Sequence, residues 1–370
     1  MSRPVHGGNL AWAARLARCA PAELLDFSAS ISPLGPPCSV SEAIRAAFSS
    51  VVAYPDPDYG ELRDAIAHHH QLSPDWVLPG NGAAELLTWA ARDLAELPGG
   101  CLRLTPTFND YDRALRAFGC EPIDLPLLDS LDPQQGWNFD SWEKSLLQTD
   151  LNQYGLLLNN PHNPTGALFA KSRLRPLLPE FGLVVVDEAF MDFLPPARSQ
   201  SVIDWVSELP NLVVIRSLTK FYSMPGVRLG YAIARPETLQ RWQTWRDPWA
   251  VNVLAAAAGV AAIQDSDFQQ RTWDWLTAAN TQLYEGLTQL PGLSPLPGCV
   301  NFLLVACEGS ATALQTELLQ RHQIYIRDCM SFAELGDRYF RIAVKTTDDN
   351  QRLLDALANV LPDLEVAHAY

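Results

Sequence analysis

The sequence is short of positive charge. Its 27 Lys and Arg face 42 Asp and Glu, a formal net charge of −15 over 370 residues. So acidic a chain argues against nucleic acid or an anionic membrane as a partner. An anionic ligand would need a few placed cations to overcome that background. No apolar stretch is long enough to span a bilayer, and the opening residues lack the basic stretch and apolar run of a secretory signal, so a cytoplasmic chain is expected. The seven cysteines (Cys19, Cys38, Cys101, Cys120, Cys299, Cys307, Cys329) include no Cys-x-x-Cys pair. That argues against a zinc knuckle or a disulfide framework, and no metal site is expected. Internal repeats and low-complexity linkers are also missing. What remains is 48% hydrophobic and 19% charged, an ordinary globular composition in a chain long enough for one large and one smaller domain.

Three short apolar runs mark the middle of the chain: Gly155 to Leu158, Leu183 to Val186 and Leu212 to Ile215. None alternates with polar residues, the pattern of strands buried on both faces of a parallel sheet. Tyr231 to Ala234 is a fourth candidate. Helix-compatible spacing between them, at Arg173 to Glu180 and Val202 to Leu209, predicts an α/β region with right-handed crossovers. Residues 1–38 read as an N-terminal arm around a short helix near Leu10 to Arg18. Residues 39–235 form the expected large domain. Residues 236–370, with a long helix over Asp265 to Leu290 and strands at Asn301 to Ala306 and Tyr339 to Val344, form a smaller α+β domain.

Each of the three runs ends in a polar cluster: Asn159-Asn160-Pro161-His162-Asn163-Pro164-Thr165-Gly166, then Asp187-Glu188-Ala189-Phe190, then Ser217-Leu218-Thr219-Lys220. Ligands of open α/β sheets bind outside the carboxyl ends of the strands. Any one cluster could be an ordinary turn, but together they bring an amide, a carboxylate and a lysine to one edge. Asp187-Glu188 after a valine run also suits a nucleotide hydrolase, but the chain has no Gly-x-x-x-x-Gly-Lys-Ser/Thr loop to hold the phosphates. Gly80-Asn81-Gly82-Ala83-Ala84-Glu85 lacks the third glycine of a dinucleotide fingerprint. It still feeds an apolar helix whose first N–H groups suit a phosphate, or else it is simply a tight turn. His68-His69-His70 cannot present one chelating face on a helix and reads as a solvated helix end.

These motifs, in this order, resemble the fold-type I pyridoxal-phosphate enzymes of the aminotransferase class I/II superfamily. The resemblance spans essentially the whole chain and implies a large domain with a mainly parallel central sheet flanked by helices, plus a smaller α+β domain. Residue by residue, it implies that Lys220 carries pyridoxal 5'-phosphate as a Schiff base and later moves protons. Asp187 pairs with the pyridine nitrogen, Asn163 bonds the ring 3-oxygen, and Phe108 stacks on the ring. The cofactor phosphate takes the N–H groups of Ala83 and Ala84, the hydroxyls of Ser217 and Thr219, and the Arg228 guanidinium. Tyr54 resembles the tyrosine that relatives extend to the neighbouring subunit's phosphate, which implies a homodimer with shared sites.

Within that superfamily, His6-Gly7-Gly8-Asn9, Leu25-Asp26-Phe27-Ser28-Ala29, Pro33-Leu34-Gly35-Pro36-Pro37 and Ile326-Arg327-Asp328-Cys329 are similar to the threonine-phosphate decarboxylases of cobalamin biosynthesis. So is Phe340-Arg341-Ile342-Ala343-Val344-Lys345. The close kin are histidinol-phosphate aminotransferases, which usually carry a tyrosine where Phe190 stands here. The resemblance implies a small phosphorylated amino acid as substrate, with Arg341 on its carboxylate and Arg327 and His6 on its phosphate, or the reverse. Ser30 and Ser32 stand where that subfamily usually has asparagines. Ser32 is expected at the substrate, but a serine is shorter and lacks the amide's paired donor and acceptor, so a substrate contact is lost or replaced by water, which leaves serine phosphate or an altered binding pose open as alternatives. An aminotransferase, or a catalytically idle pyridoxal-fold binding protein, are the competing readings.

Overall fold

The computed structural model describes residues 3–128, 131–132, 136–137, 146 and 150–367. The chain divides into two compact units, one made of Leu34–His162 and Leu168–Thr272, the other of Met1–Pro33, Asn163–Ala167 and Trp273–Tyr370.

The main sheet of the first unit has seven strands: β1 (Val77–Gly80), β2 (Cys101–Thr105), β3 (Ile123–Pro126), β4 (Gly155–Asn159), β5 (Leu183–Asp187), β6 (Leu212–Ser217) and β7 (Gly230–Ile233). Their order in the sheet is β1-β7-β6-β5-β4-β2-β3, and only β7 runs antiparallel to its neighbours. The three unalternating runs are therefore central parallel strands, and every residue of β4 and β6 is buried. Covering both faces with helices is what such strands require. One hydrophobic cluster joins Val185, Val213 and Ile215 of the sheet to Leu86, Ala90 and Leu94 of the helix Ala83–Ala95.

Two expected helices are shorter than their spacing predicts. Arg173 to Glu180 breaks into a four-residue helix, Lys171–Leu174, and a 3-10 turn, Leu178–Glu180. Pro176 and Pro179 remove the N–H groups a continuous helix would need. Val202 to Leu209 holds only the 3-10 turn Ile203–Trp205, and the Val202 N–H donates to the Glu188 carboxylate at 2.8 Å.

The second unit contains a four-stranded antiparallel sheet of β8 (Leu293–Pro295), β9 (Phe302–Cys307), β10 (Arg327–Asp328) and β11 (Tyr339–Ala343), ordered β8-β9-β11-β10. The helices Ala311–His322 and Thr347–Ala367 accompany it. Leu25–Asp26 pairs in parallel with Ile324–Tyr325, which ties the start of the chain into this unit. In β11, Phe340 and Ile342 are buried, while Tyr339 and Arg341 lie on the other face and are half-buried. Among the described residues no helix is long and apolar enough to cross a membrane.

Candidate active site

In the first unit the carboxyl ends of β4, β5 and β6 deliver Asn159, Asp187 and Ser217 to one edge. Asp187 closes β5 and is 4% exposed. Its Oδ1 accepts the Ala189 N–H at 3.0 Å, and its Oδ2 accepts the Tyr111 hydroxyl at 2.7 Å. Burial pushes the Asp187 carboxyl above its ordinary range, opposed by those two donors and by the Lys220 charge. Lys220 follows β6. Its Nζ donates to Thr219 Oγ1 at 3.1 Å, Thr219 Oγ1 lies 2.7 Å from Ser217 Oγ, and the ammonium stands 6.0 Å from the centre of the Phe190 ring. Phe108 meets Tyr111 edge-on, with ring centres 5.6 Å apart.

Two glycines shape the adjoining turn. Gly80, Gly230 and Ser217 are direct partners across β1, β7 and β6, so the turn after β1 lies beside Ser217. Gly82 has φ +76°, and a Cβ there would stand 2.5 Å from Nη2 of Arg228. A Cβ on Gly230 would stand 2.6 Å from the Ala83 nitrogen. The helix Ala83–Ala95 begins at Gly82, which has no side chain to cap it, and a helix leaves its first N–H groups without intrahelical partners. The arrangement is a cradle of N–H groups, hydroxyls and a guanidinium that a side chain at Gly82 would fill.

Behind this edge, Glu188 and Arg216 form a buried pair, Glu188 fully shielded and Arg216 4% exposed. Arg216 Nε meets Glu188 Oε2 at 2.9 Å, and its Nη atoms reach Asp192 and Ser201. Glu188 directly follows Asp187 and Arg216 directly precedes Ser217, so this pair ties β5 to β6 next to the residues just described. His70 corrects the expectation of a solvated histidine run. Its Nε2 lies 2.8 Å from the Tyr231 hydroxyl and its ring is half-buried, because the last turn of its helix packs toward the start of β7.

The second unit gathers another group. Arg327 and Arg341 are cross-strand partners in β10 and β11, and among the described residues neither meets a carboxylate within 4.0 Å. Arg341 Nη1 donates to Asn163 Oδ1, its Nη2 reaches the Ser28 carbonyl at 3.5 Å, and its shielded Nε has no protein partner. Burial, reinforced by the Arg327 charge, pushes the Arg341 guanidinium down to about 10. Arg327 is 3% exposed and donates to the carbonyls of Pro4 and Val5 and to Ser331 Oγ at 2.6 Å. The Gly8 N–H bonds Ser28 Oγ at 2.8 Å, so the segment carrying the exposed His6 is pinned at both ends. Ser30 and Ser32 are both buried, and among the described residues Ser30 Oγ has no hydrogen-bond partner. Tyr54, in the first unit, is 78% exposed and stacks on Trp249 with ring centres 4.4 Å apart; among the described residues no hydrogen bond ties it to the Lys220 cluster.

Sequence reasoning missed Tyr111 and the Arg216–Glu188 pair. Tyr111 stands three residues after Phe108, which is the only signal that could have found it. Glu188 and Arg216 are chain neighbours of motif residues whose alternation places them on the opposite face.

The sequence profile of the family described as aminotransferase class I and II matches residues 22–357. The chain belongs to that family. It is accordingly a pyridoxal-phosphate-dependent enzyme with the fold-type I architecture. The residues present fit that cofactor: a lysine amine, a deeply buried carboxylate and the glycine-lined cradle stand in one unit. The chain is similar to the threonine-phosphate decarboxylase of Salmonella typhimurium, 40% identical over 367 residues, 98% of each chain. It is 29% identical, over 97% of its length, to the adenosylcobalamin biosynthesis bifunctional protein of Leptospira interrogans, of which it covers 41%. Among solved structures, the histidinol-phosphate aminotransferase from Clostridium acetobutylicum aligns with a TM-score of 0.83 and 27% identity, covering 92% of this chain and all of that one.

Proposed function

We propose that the protein decarboxylates L-threonine O-3-phosphate to (R)-1-aminopropan-2-yl phosphate and CO₂, within cobalamin biosynthesis. The observation that carries this reading is the pair Arg327 and Arg341, opposed across two strands with no carboxylate partner among the described residues. Like charges so placed are unfavourable until anions compensate them. A substrate with a carboxylate and a phosphate supplies two anionic groups, whereas histidinol phosphate carries only the phosphate. The similarity to the Salmonella decarboxylase, and Phe190 in place of tyrosine, favour the same choice.

In this reading Ala83, Ala84, Ser217, Thr219 and Arg228 hold the cofactor phosphate, Phe108 stacks on the ring, and Asn163 and Asp187 bond its 3-oxygen and nitrogen. Pyridoxal phosphate, when bound at Lys220, supplies the electron sink for the bonding pair. Arg341 grips the substrate carboxylate, Arg327 and His6 grip its phosphate, and Ser32 borders the substrate. That grip orients the Cα–carboxyl bond for cleavage; the bond that breaks is decided by orientation rather than by a separate base. The bond breaks, CO₂ leaves, and Lys220 Nζ delivers a proton to Cα. The arm of residues 1–38 closes over the site, and the working form is a homodimer in which Tyr54 reaches the partner subunit's cofactor phosphate. The exposed Phe48, Val51, Val52, Tyr54 and Trp249 support that last assignment.

The test is to incubate the holoenzyme with L-threonine O-phosphate and follow CO₂ release and amino transfer to 2-oxoglutarate separately, with sedimentation of the same sample. CO₂ release from a dimer is expected. Amino transfer without CO₂ would establish the aminotransferase alternative, and neither product from L-threonine O-phosphate or, in a parallel incubation, from histidinol phosphate would favour an idle binding protein.

A further inference from the structure

Asp187 is a buried carboxylate without a cationic neighbour in contact: among the described residues no Lys, Arg or His nitrogen lies within 4.0 Å of it. Two neutral donors hold it instead, the Ala189 N–H on Oδ1 and the Tyr111 hydroxyl on Oδ2. Each carboxylate oxygen can accept two hydrogen bonds, so both oxygens keep capacity for one further donor. Tyr111 is 1% exposed and belongs to the hydrophobic cluster with Ala114, Leu115 and Val185. Its ring is fixed there, edge-on to Phe108 at 5.6 Å, and the hydroxyl is aimed at Asp187.

We propose that Tyr111 is a positioning residue for the cofactor: its phenol fixes the Asp187 carboxylate as an acceptor and keeps the shared proton on the pyridine nitrogen of pyridoxal phosphate rather than on the carboxylate. The proposal rests on the reading of Asp187 as the partner of that nitrogen. The choice of a phenol has a physical reason. An unassisted carboxylate in a shielded site becomes basic enough to take the proton for itself. A guanidinium or imidazolium in contact would prevent that by neutralising the carboxylate, and so would weaken its attraction for a protonated ring. A phenol stabilises the negative charge without cancelling it, and burial beside Asp187 holds the phenol's own ionisation well above its ordinary range. Phe108 and Tyr111, three residues apart, then serve the ring's face and the ring's nitrogen from a single segment.

The test is ¹⁵N spectroscopy of the holoenzyme loaded with ring-¹⁵N pyridoxal phosphate, whose nitrogen shift reports protonation directly, alongside the visible absorbance. In Tyr111→Phe the ratio of nitrogen-protonated to carboxyl-protonated forms is expected to fall about tenfold, one unit of carboxylate basicity, with the cofactor still bound. 3-Fluorotyrosine at position 111, a stronger donor of nearly the same size, keeps the nitrogen protonated at least as fully as the parent and tests the idea should Tyr111→Phe fail to fold. In an Asp187→Asn background, Tyr111→Phe leaves the nitrogen signal unchanged, which a merely structural role would not require. A nitrogen as fully protonated in Tyr111→Phe as in the parent overturns the role of Tyr111 alone. A nitrogen still protonated in Asp187→Asn overturns the assignment of Asp187 and this proposal with it.

Discussion

Arg327 and Arg341 stand directly opposite each other in β10 and β11, one buried and one half-buried, and among the described residues neither has a carboxylate within 4.0 Å. Replacing Arg341 with Met removes that repulsion. The unliganded protein is expected to gain about 0.2–1 kcal/mol in urea unfolding. The same variant should lose roughly 100-fold or more in kcat/KM for threonine phosphate, because a shielded, charge-assisted contact to an anion is gone. A variant that is less stable and equally active would remove Arg341 from the substrate site.

Asp187 gives a pH dependence whose sign is fixed. Burial raises its folded-state carboxyl above the unfolded value of 3.8. The folded protein therefore holds this proton more tightly than the unfolded chain does, and the contribution to stability is lost as pH rises through the raised value. In the cofactor-free protein, Asp187→Asn should become more stable than the parent as pH increases from about 4, with the difference levelling off above the folded-state value. Paired thermal melts across pH check this; a difference that shrinks with rising pH would contradict it.

Lys220→Ala should lower turnover by at least about 10⁴-fold, since in the proposed function one residue both carries the cofactor and moves the proton. The characteristic visible absorbance of the lysine-bound cofactor should vanish. Dialysis binding should still detect pyridoxal phosphate, retained through Arg228, Ser217 and the turn at Gly82.

The Arg216–Glu188 pair bears on stability. Glu188→Ala leaves the buried Arg216 with Asp192 as its remaining carboxylate, and about 3–5 kcal/mol should be lost in chemical denaturation. Chemical denaturation of the holoenzyme and the cofactor-free protein separates this loss from any effect on cofactor binding.

The parallel sheet was legible because β4, β5 and β6 are buried on both faces and so carry unbroken Val and Leu runs. Asp187, Ser217 and Lys220 were legible because they lie at strand ends, where polar residues interrupt those runs. Tyr111 was not, since an apolar ring in a core and a ring whose hydroxyl serves a carboxylate leave the same letter in the sequence. His70 was misread for a related reason: its partner Tyr231 is 161 residues away, and no local pattern announces so distant a contact. The helix expected over Arg173 to Glu180 is cut by Pro176 and Pro179, which apolar spacing alone does not register.

Asp187 and Glu188 are consecutive carboxylates turned to opposite sides of the sheet, one met by a phenol and the other by a guanidinium. The sheet register in β5 is thus a chemical variable as well as a mechanical one. Slipping that strand by a single residue would exchange the two acids, presenting a glutamate where the shorter aspartate belongs and leaving Arg216 to face a side chain of the wrong length. Insertions or deletions in β5 should accordingly destroy activity even where the strand's hydrophobic content would let it fold.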